Sequence, residues 1–336
     1  MLDSIQKKIF DQDDFGDLAV VICHFNPCGY RNPILNLKRM LEWLSEQHLP
    51  TYAAELRCGK SVGSSPVLLS EHPKVFQLQS DSVMFRKENL WNLTIARLPN
   101  SFRFILCLDA DVILARKNWK AELLFRLKTH KIVHPFTHAV WMDSLRVPYK
   151  RKYSSLYAAA HGMENPESGK LYHPGFGLAC HRDFWEHTKG LYNGPFGEGA
   201  SCFMAAILGK QQSLFPYFKG LSSDLLHDFA QWAHSTHKWA QSSFCSLDGE
   251  ALHFWHGSTK FRKYMWDSPV GNSAYLDRCR WFKDFNPFLD WTMNTTTGLV
   301  EWSRDAVSKK QPMIGHVEKY FIQRKEDEWF DSSKTA

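Results

Sequence analysis

Short apolar runs alternate with segments of helical periodicity through the first 136 residues, and this alternation constrains the fold more than any other feature. Four runs rich in β-branched and aliphatic residues are predicted to be buried strands: 17–25, 51–56, 102–114 and 131–136. Three segments with apolar residues three and four positions apart are predicted to be helices: 32–47, 81–99 and 118–130. Apolar strands that alternate with helices indicate an α/β fold, with a mostly parallel sheet flanked by helices.

The second half of the chain is less regular. Residues 144–175 combine glycine, proline, serine and basic residues, so we expect a long loop of the kind that forms a substrate lid, with a short helix near 154–160. The wider region 141–200 is expected to form the acceptor side. Three further predictions are a strand and short helix over 176–194, a strand within 251–264 and a C-terminal helix over 312–329. We expect a loose tail, one domain and a helical extension, over 1–17, 18–295 and 296–336 respectively.

Composition narrows the class of protein. The chain has 41 Lys and Arg against 35 Asp and Glu, a net charge of +6, without a block of like charge of the kind that binds nucleic acid. Its eight cysteines form no CxxC pair, so we expect a reducing compartment and no structural zinc site. It has neither a signal peptide nor an apolar stretch of about 18 residues, so we expect a cytoplasmic protein without a transmembrane segment.

The motif Asp109-Ala110-Asp111 follows the apolar run FILCL in the third predicted strand. In parallel sheets, ligands bind beyond the carboxyl ends of the strands. Strand alternation would put both carboxylates on one side, where they could hold Mg²⁺ or Mn²⁺ on the phosphates of a substrate. A buried ion pair or a turn cap would explain these residues equally well. Asp11-Gln12-Asp13 has the same spacing in a polar tail, and we assign no role to it.

Six motifs occur in order between about residues 18 and 328: HFNPCGY (24–30), VMFRKENLWN (83–92), CLDADVIL (107–114), GLYNGPFGEGAS (190–201), HFWHGSTKFRKY (253–264) and YFIQRKED (320–327). Together they resemble the nucleotide-sugar glycosyltransferases of the GT-A fold, and in particular a viral and bacterial group of these enzymes. The resemblance implies a GT-A-type Rossmann-like sheet, a UDP-sugar or related donor, Mn²⁺ or Mg²⁺, and a glycan or other hydroxyl acceptor. A viral member would act in the host cytoplasm.

The resemblance also implies metal ligands. Asp111 and His256 are expected to hold the ion, with Asp109 and His253 as further candidates. We prefer His256 to His253 because Gly257 beside it would let the backbone approach a ligand closely.

Further residues are expected to contact the donor nucleotide. By their places in the motifs and at strand ends, these are Phe25, Asn26, Pro27, Glu55, Lys87, Asn92, Asp109, Lys260 and Arg262. Lys260, Arg262 and the neighbouring Lys263 are cations that could neutralise the departing diphosphate.

The general base is less clear, because Ser201 stands where the resembling group has an aspartate. An inverting transfer needs a group that takes the proton of the acceptor hydroxyl. Glu198 is the nearest acid in the segment and is our first candidate, with Asp183 as the second.

Three alternatives remain. His181, Asp183 and His253 fit the facial triad of non-haem iron oxygenases, although the strand–helix alternation disfavours that all-β fold. The chain could instead be a non-catalytic nucleotide-sugar or glycan-binding protein, which Ser201 makes plausible. A sugar nucleotidyltransferase would share the sheet, but HFNPCGYRN is not the Gly-rich phosphate loop that such enzymes usually carry.

Overall fold

Thirteen strands and nine helices make up the part of the chain that the computed structural model describes, residues 16–58, 74–195, 197–262 and 278–334. The strands are β1 Leu18–Phe25, β2 Thr51–Cys58, β3 Val75–Ser80, β4 Phe104–Leu108, β5 Val112–Leu114, β6 Ile132–His134, β7 His138–Met142, β8 Pro148–Tyr153, β9 Gly177–His181, β10 Phe244–Ser246, β11 Glu250–His253, β12 Trp291–Met293 and β13 Val300–Trp302. The helices are α1 Arg31–Glu46, α2 Lys87–Ile95, α3 Trp119–Leu127, α4 Ser155–Ala160, α5 Asp183–Thr188, α6 Gly199–Ile207, α7 Ser223–Ala240, α8 Arg304–Lys309 and α9 Gln311–Gln323.

The central sheet has seven strands in the order β10-β6-β9-β4-β1-β2-β3. Strand β9 runs antiparallel to its neighbours β4 and β6, and every other adjacent pair in this sheet is parallel. The prediction of an α/β fold with a mostly parallel sheet is therefore confirmed.

Helices cover both faces of this sheet. Along β1, Leu18, Val20 and Ile22 belong to one apolar cluster and Ala19 and Val21 to another, and all five are fully buried. Helix α1 packs in the first cluster and α2 in the second. Burial on both faces explains why this strand reads as a continuous apolar run.

The segment 102–114 forms two strands, so the prediction of a single strand was wrong. Strand β4 ends at Leu108, the DAD motif forms a turn, and β5 begins at Val112. Strand β5 leaves the central sheet and joins a second sheet of order β5-β11-β7-β8, in which it runs antiparallel to β11. Because the strands on both sides of the turn are largely buried, apolar periodicity could not reveal the break.

Two other predicted elements have different bounds. Helix α2 begins later than predicted, at Lys87, because Val83 and Met84 pack in a cluster with α7 and α9 instead of continuing a helix. The C-terminal helix α9 ends at Gln323, before its predicted end. The short helix expected near 154–160 is present as α4.

Some elements were not predicted at all. The expected loop over 144–175 contains β8, a basic segment that pairs antiparallel with β7 at the edge of the second sheet. Its sequence, PYKRKY, has no apolar pattern, so the strand could not be predicted from periodicity. Charged side chains are typical of exposed edge strands. Strand β3 and helices α6 and α7 were also missed.

Helix α9 and the chain after it pack against the rest of the fold. Val317 and Phe321 of α9 share an apolar cluster with Phe229 of α7. The chain after α9 returns to the start of α1, where the Asp327 carboxylate accepts hydrogen bonds from the N–H groups of Arg31 and Asn32 at 2.9 and 2.7 Å. A carboxylate at a helix N-terminus is stabilising, so this contact anchors the tail.

Two general features complete the fold. All eight cysteines are free thiols. Across the four described ranges, no helix combines the length and the apolar character needed to cross a membrane.

Candidate functional site

The DAD turn lies at the carboxyl end of β4, and its two carboxylates have different partners. Asp109 Oδ1 accepts a hydrogen bond from Lys87 Nζ at 3.0 Å, and this Nζ also lies 4.8 Å from the centre of the Trp91 ring. Burial lowers the pKa of Lys87, but the Asp109 and Glu88 carboxylates outweigh burial and raise it above its ordinary value. Asp111 lies instead against His253, the last residue of β11, and His256, which follows that strand. The motif is a turn and not part of a strand, so strand alternation does not set the directions of the two carboxylates.

Asp111, His253 and His256 form what we call the ligand cluster. His256 Nε2 lies 2.8 Å from Asp111 Oδ2 and 2.9 Å from His253 Nε2, and His253 Nε2 lies 3.7 Å from Asp111 Oδ2. One potential ligand atom from each residue falls within 4.8 Å of the others, and no second group of this kind occurs among the described residues. The structure thus brings together three of the four predicted metal ligands and leaves Asp109 outside.

Strand pairing in the second sheet assembles the cluster. His253 is the last residue of β11 and pairs with Val112 of β5, which places it next to Asp111. The Phe254 N–H donates to the Asp111 carbonyl at 2.9 Å and extends the pairing beyond the strand. The His253 ring stacks on Phe176, with centroids 4.7 Å apart and planes 4° apart, so its orientation is fixed.

The electrostatics of the cluster suit a cation. Burial by itself raises the pKa of Asp111, but His253, His256 and Arg262 outweigh it and hold the pKa below its usual range. Burial lowers the pKa of His253 to about 3, so this imidazole is neutral at physiological pH. Asp111 Oδ1 is buried and has no hydrogen-bond partner in the described part of the chain. An ionised carboxylate with an open oxygen beside imidazole nitrogens is a suitable donor set for a divalent metal ion.

The C-terminal tail holds the second histidine. Glu326 Oε1 lies 3.6 Å from His256 Nδ1, accepts a hydrogen bond from Arg262 Nη2 at 2.9 Å, and forms an ion pair with Arg324 Nη2 at 2.6 Å. Arg262 also donates to the His256 carbonyl at 3.1 Å and contacts its ring. Burial raises the pKa of Glu326, but Arg324 and Arg262 outweigh it and lower the pKa to about 2. Arg324 and Glu326 belong to the YFIQRKED motif, but nothing in the sequence indicated their contacts around His256 and Arg262.

Gly257 lies directly against the C-terminal tail. Its φ is +94°, and a Cβ atom at this position would lie 2.7 Å from the Lys325 carbonyl oxygen. The glycine makes room for the tail, and the preference for His256 over His253 stays a prediction. Both histidines belong to the ligand cluster.

Three basic residues were predicted to neutralise the departing diphosphate. Arg262 is only 6% exposed and is engaged by Glu326 and His256. The backbone of Lys260 lies in the short 3₁₀ turn Thr259–Phe261. Lys263 lies outside the described residues.

The turn after β1 contains Phe25, Asn26 and Pro27, which were predicted to contact the nucleotide. The Asn26 side chain donates to the Tyr30 carbonyl at 2.7 Å and accepts from the Tyr30 N–H at 3.0 Å. Pro27 is buried in the same turn, and Phe25 packs edge-on against Phe321 with centroids 5.4 Å apart. These contacts are structural, and nucleotide binding by the three residues stays a prediction.

Glu55 lies deeper in the central sheet. It is fully buried in β2 and accepts a hydrogen bond from Gln77 Nε2 of β3 at 3.2 Å. Its contact with the donor also stays a prediction.

Asn92, predicted to contact the nucleotide, is hydrogen-bonded to the segment 190–193, and its contact with the donor stays a prediction. Its Nδ2 donates to the Leu191 carbonyl at 2.9 Å, and its Oδ1 accepts from the Leu191 N–H at 2.9 Å and from Trp185 Nε1 at 3.0 Å. A Cβ atom at Gly190 would lie 2.6 Å from the same Oδ1. The side chain therefore joins α2 to the segment that precedes α6.

We expect Asn92→Ala to destabilise the protein by at least about 2 kcal/mol, because each buried group left unpaired costs about 1–3 kcal/mol. Urea unfolding followed by circular dichroism measures the change. Asn100→Ala, at an exposed turn position, is the control and should change stability by no more than about 0.5 kcal/mol. Equal stabilities of the two variants would contradict the structural role.

The two predicted general bases lie in different environments. The Glu198 carboxylate pairs with Arg278, which is fully buried and whose guanidinium carbon lies 5.8 Å from the Phe85 ring centre and 5.7 Å from that of Tyr320. A buried ion pair is a competing explanation for this acid, and its role as a base stays a prediction.

Asp183 begins α5, after His181 of β9. His181 pairs with Phe104 at the start of β4, whereas the DAD motif follows the end of that strand. Asp183 thus lies towards the opposite edge of the sheet from the ligand cluster, and this geometry gives its predicted catalytic role no support. The same separation leaves His181 and Asp183 away from His253, so the proposed iron triad is not assembled.

Comparisons with known proteins return likenesses at low similarity. No family model and no curated protein matches the chain. Among solved structures, S. aureus TarS 1-349 in complex with UDP-GlcNAc is 10% identical with a TM-score of 0.42, over 92% of this chain and 81% of that one. A Drosophila β1,4-galactosyltransferase 7 mutant in complex with manganese, UDP-Gal and xylobiose is 10% identical with a TM-score of 0.40, over 88% of this chain and 98% of that one.

A third structure is M. tuberculosis glucosyl-3-phosphoglycerate synthase in complex with Mn²⁺, UDP and phosphoglyceric acid, which is 10% identical with a TM-score of 0.39, over 78% of each chain. The catalytic domain of the Drosophila enzyme with xylobiose aligns over 57% of this chain and 61% of its own length, with 13% identity and a TM-score of 0.31. This chain therefore spans less than two thirds of that structure. At such low scores, the likenesses do not decide what the chain does.

Proposed function

We propose that this chain is a metal-dependent glycosyltransferase that transfers a sugar from a nucleoside-diphosphate sugar to a hydroxyl group of a glycan or another acceptor. The convergence of Asp111, His253 and His256 just beyond the carboxyl end of β4 carries the proposal, because that edge of a parallel sheet is where ligands bind. The substrate class rests on the six motifs that resemble nucleotide-sugar glycosyltransferases, with a UDP-sugar as the proposed donor.

The ligand cluster favours Mn²⁺ over Mg²⁺. Mg²⁺ prefers oxygen ligands and dehydrates reluctantly, whereas imidazole nitrogens suit first-row transition ions better. Asp111, His253 and His256 would hold the ion. When bound, it would supply Lewis-acid stabilisation of the departing diphosphate.

Other residues of the chain would support the donor. Lys87 Nζ, held at the carboxyl end of β4 by Asp109, places a cation where the leaving diphosphate gains negative charge. Glu326 and Arg262 keep His256 in place, so the extension over 296–336 contributes to a site in the domain over 18–295. The donor contacts predicted for Phe25, Asn26, Pro27 and Glu55 belong to the same proposal.

One other function is favoured by a specific observation. Two histidines and one carboxylate also form the facial triad of non-haem iron(II) oxygenases, and the ligand cluster has this composition. Oxygen consumption that requires Fe²⁺ and no nucleotide would favour that function. The six motifs and the position at the edge of a mostly parallel sheet favour the transferase.

Thermal unfolding tests the proposed donor. We expect UDP and UDP-sugars to raise the Tm in the presence of Mn²⁺, because a ligand at a hundredfold excess over its Kd stabilises the folded state by about 2.7 kcal/mol. Mn²⁺ alone is the reference, and EDTA should remove the effect. A Tm that no nucleoside diphosphate or nucleotide sugar raises above the Mn²⁺ reference would contradict donor binding.

A further inference from the structure

A small cavity lies beside the Lys87–Asp109 ion pair. Its walls are the first turn of α2, residues 174–178 and the first turn of α6, and Trp91 and Phe203 contribute apolar surface. The Asp109 N–H donates to the Phe176 carbonyl at 3.0 Å, so the cavity adjoins the DAD turn. Among the described residues that line it, only Lys87 and Glu88 have ionisable side chains.

Glu88 lies against the first residue of α6. A Cβ atom at Gly199 would lie 2.1 Å from Glu88 Oε1, so glycine at this position leaves room for the carboxylate. Glu88 is 8% exposed. Burial raises its pKa, and the neighbouring Lys87 only partly opposes this.

Glu88 and Glu198 differ in whether their carboxylates form an ion pair. The Lys87 Nζ binds Asp109, and the described part of the chain contains no ion pair to the Glu88 carboxylate. Glu198 is instead paired with the buried Arg278. A general base needs a carboxylate that faces the substrate cavity and is not held in an ion pair, and Glu88, which lines the cavity, meets this need better.

We propose that Glu88, and not Glu198, is the general base of the transfer reaction. This inference rests on the proposed glycosyltransferase function. As the acceptor oxygen forms its bond to the anomeric carbon, the hydroxyl proton passes to the Glu88 carboxylate. The bond from that carbon to the diphosphate oxygen breaks, and its electron pair leaves with the diphosphate. Glu88 then returns the proton to water.

Hydrolysis of the donor, with water as the acceptor, tests the assignment without knowledge of the natural acceptor. UDP release is measured for the full chain in Mn²⁺ with UDP-galactose, UDP-glucose and UDP-GlcNAc. Glu88→Gln should lower kcat by about 10²–10⁴-fold, the usual contribution of a general base. The affinity for UDP in Mn²⁺, measured by calorimetry, should change by less than about threefold, because the base faces the acceptor.

Two further variants sharpen the test. Gly199→Ala forces the Glu88 carboxylate to move without changing any charge and should also lower kcat. Glu186→Gln removes an exposed acid from the first turn of α5 and is the matched control, with kcat unchanged. Melting curves of each variant establish that it is folded.

The outcomes separate the two proposals. If Glu88→Gln keeps the wild-type kcat, or if it loses UDP affinity in parallel with turnover, Glu88 is not the base. A folded Glu198→Gln variant with the larger loss of kcat would likewise overturn the assignment and would favour Glu198. If the wild-type chain binds none of these donors and hydrolyses none, the glycosyltransferase function fails, and the base assignment fails with it.

Discussion

Asp111→Ala is expected to abolish the Mn²⁺-dependent binding of UDP. The side chain supplies the carboxylate of the ligand cluster, with His256 Nε2 2.8 Å from one oxygen and the other oxygen buried without a partner in the described part of the chain. Losing a residue that only supports a metal ligand typically lowers metal affinity by about 10–100-fold, so losing the ligand itself should lower it by more than about 100-fold. Calorimetry with UDP in Mn²⁺ measures nucleotide affinity, and paramagnetic resonance of free Mn²⁺ measures metal binding directly.

Asp248→Ala is the matched control, because the Asp248 side chain is 84% exposed and far less enclosed than that of Asp111. Its affinities for Mn²⁺ and UDP should equal those of the wild type. Wild-type Mn²⁺ affinity in a folded Asp111→Ala variant would rule out the ligand cluster as the metal site. Loss of Mn²⁺ binding with UDP affinity retained would show that nucleotide binding does not depend on the metal.

Glu198→Ala is expected to destabilise the protein by about 3–5 kcal/mol, because it removes the carboxylate that pairs with the fully buried Arg278. Urea unfolding followed by circular dichroism measures the change. Asp305→Ala is the control, since the Lys309–Asp305 pair has both side chains at least 70% exposed and should contribute no more than about 1 kcal/mol.

A double variant separates the buried charge from the loss of packing. Replacing Glu198 and Arg278 together by methionine removes both charges, and buried ion pairs replaced in this way often keep or gain stability. We therefore expect the double variant to recover most of the stability lost in Glu198→Ala. Wild-type stability in Glu198→Ala would mean that the ion pair is not structural. It would make the predicted catalytic role of Glu198 the better explanation of this acid.

The sequence predicted several local features well. The first strand, the helix that follows it and the position of the DAD motif after FILCL are all present as expected. Each of these depends on a pattern within about ten residues, and such patterns report which faces of an element are apolar. Asp111, His253 and His256 were named as candidates from the motifs, and the structure brings them together.

The roles of neighbouring residues could not be predicted in the same way. Asp109 and Asp111 look equivalent in the motif, but the turn directs one to Lys87 and the other to His256. Glu198 looked like an available acid until the fold placed the buried Arg278 beside it. Asn92 was named only as a nucleotide contact, and nothing in the sequence indicated that its amide pairs with the Leu191 backbone.

The sequence by itself determined the alternation of strands and helices, and with it the α/β class and the mostly parallel sheet, because burial on one or both faces of an element leaves a local periodicity. Only the tertiary structure decided which side chains share the site. The pairing of β5 with β11 brings Asp111 to His253, and the return of the tail to α1 brings Glu326 to His256. Contacts between such distant segments depend on how whole elements pack. The apolar pattern of each segment is the same whether or not that contact forms.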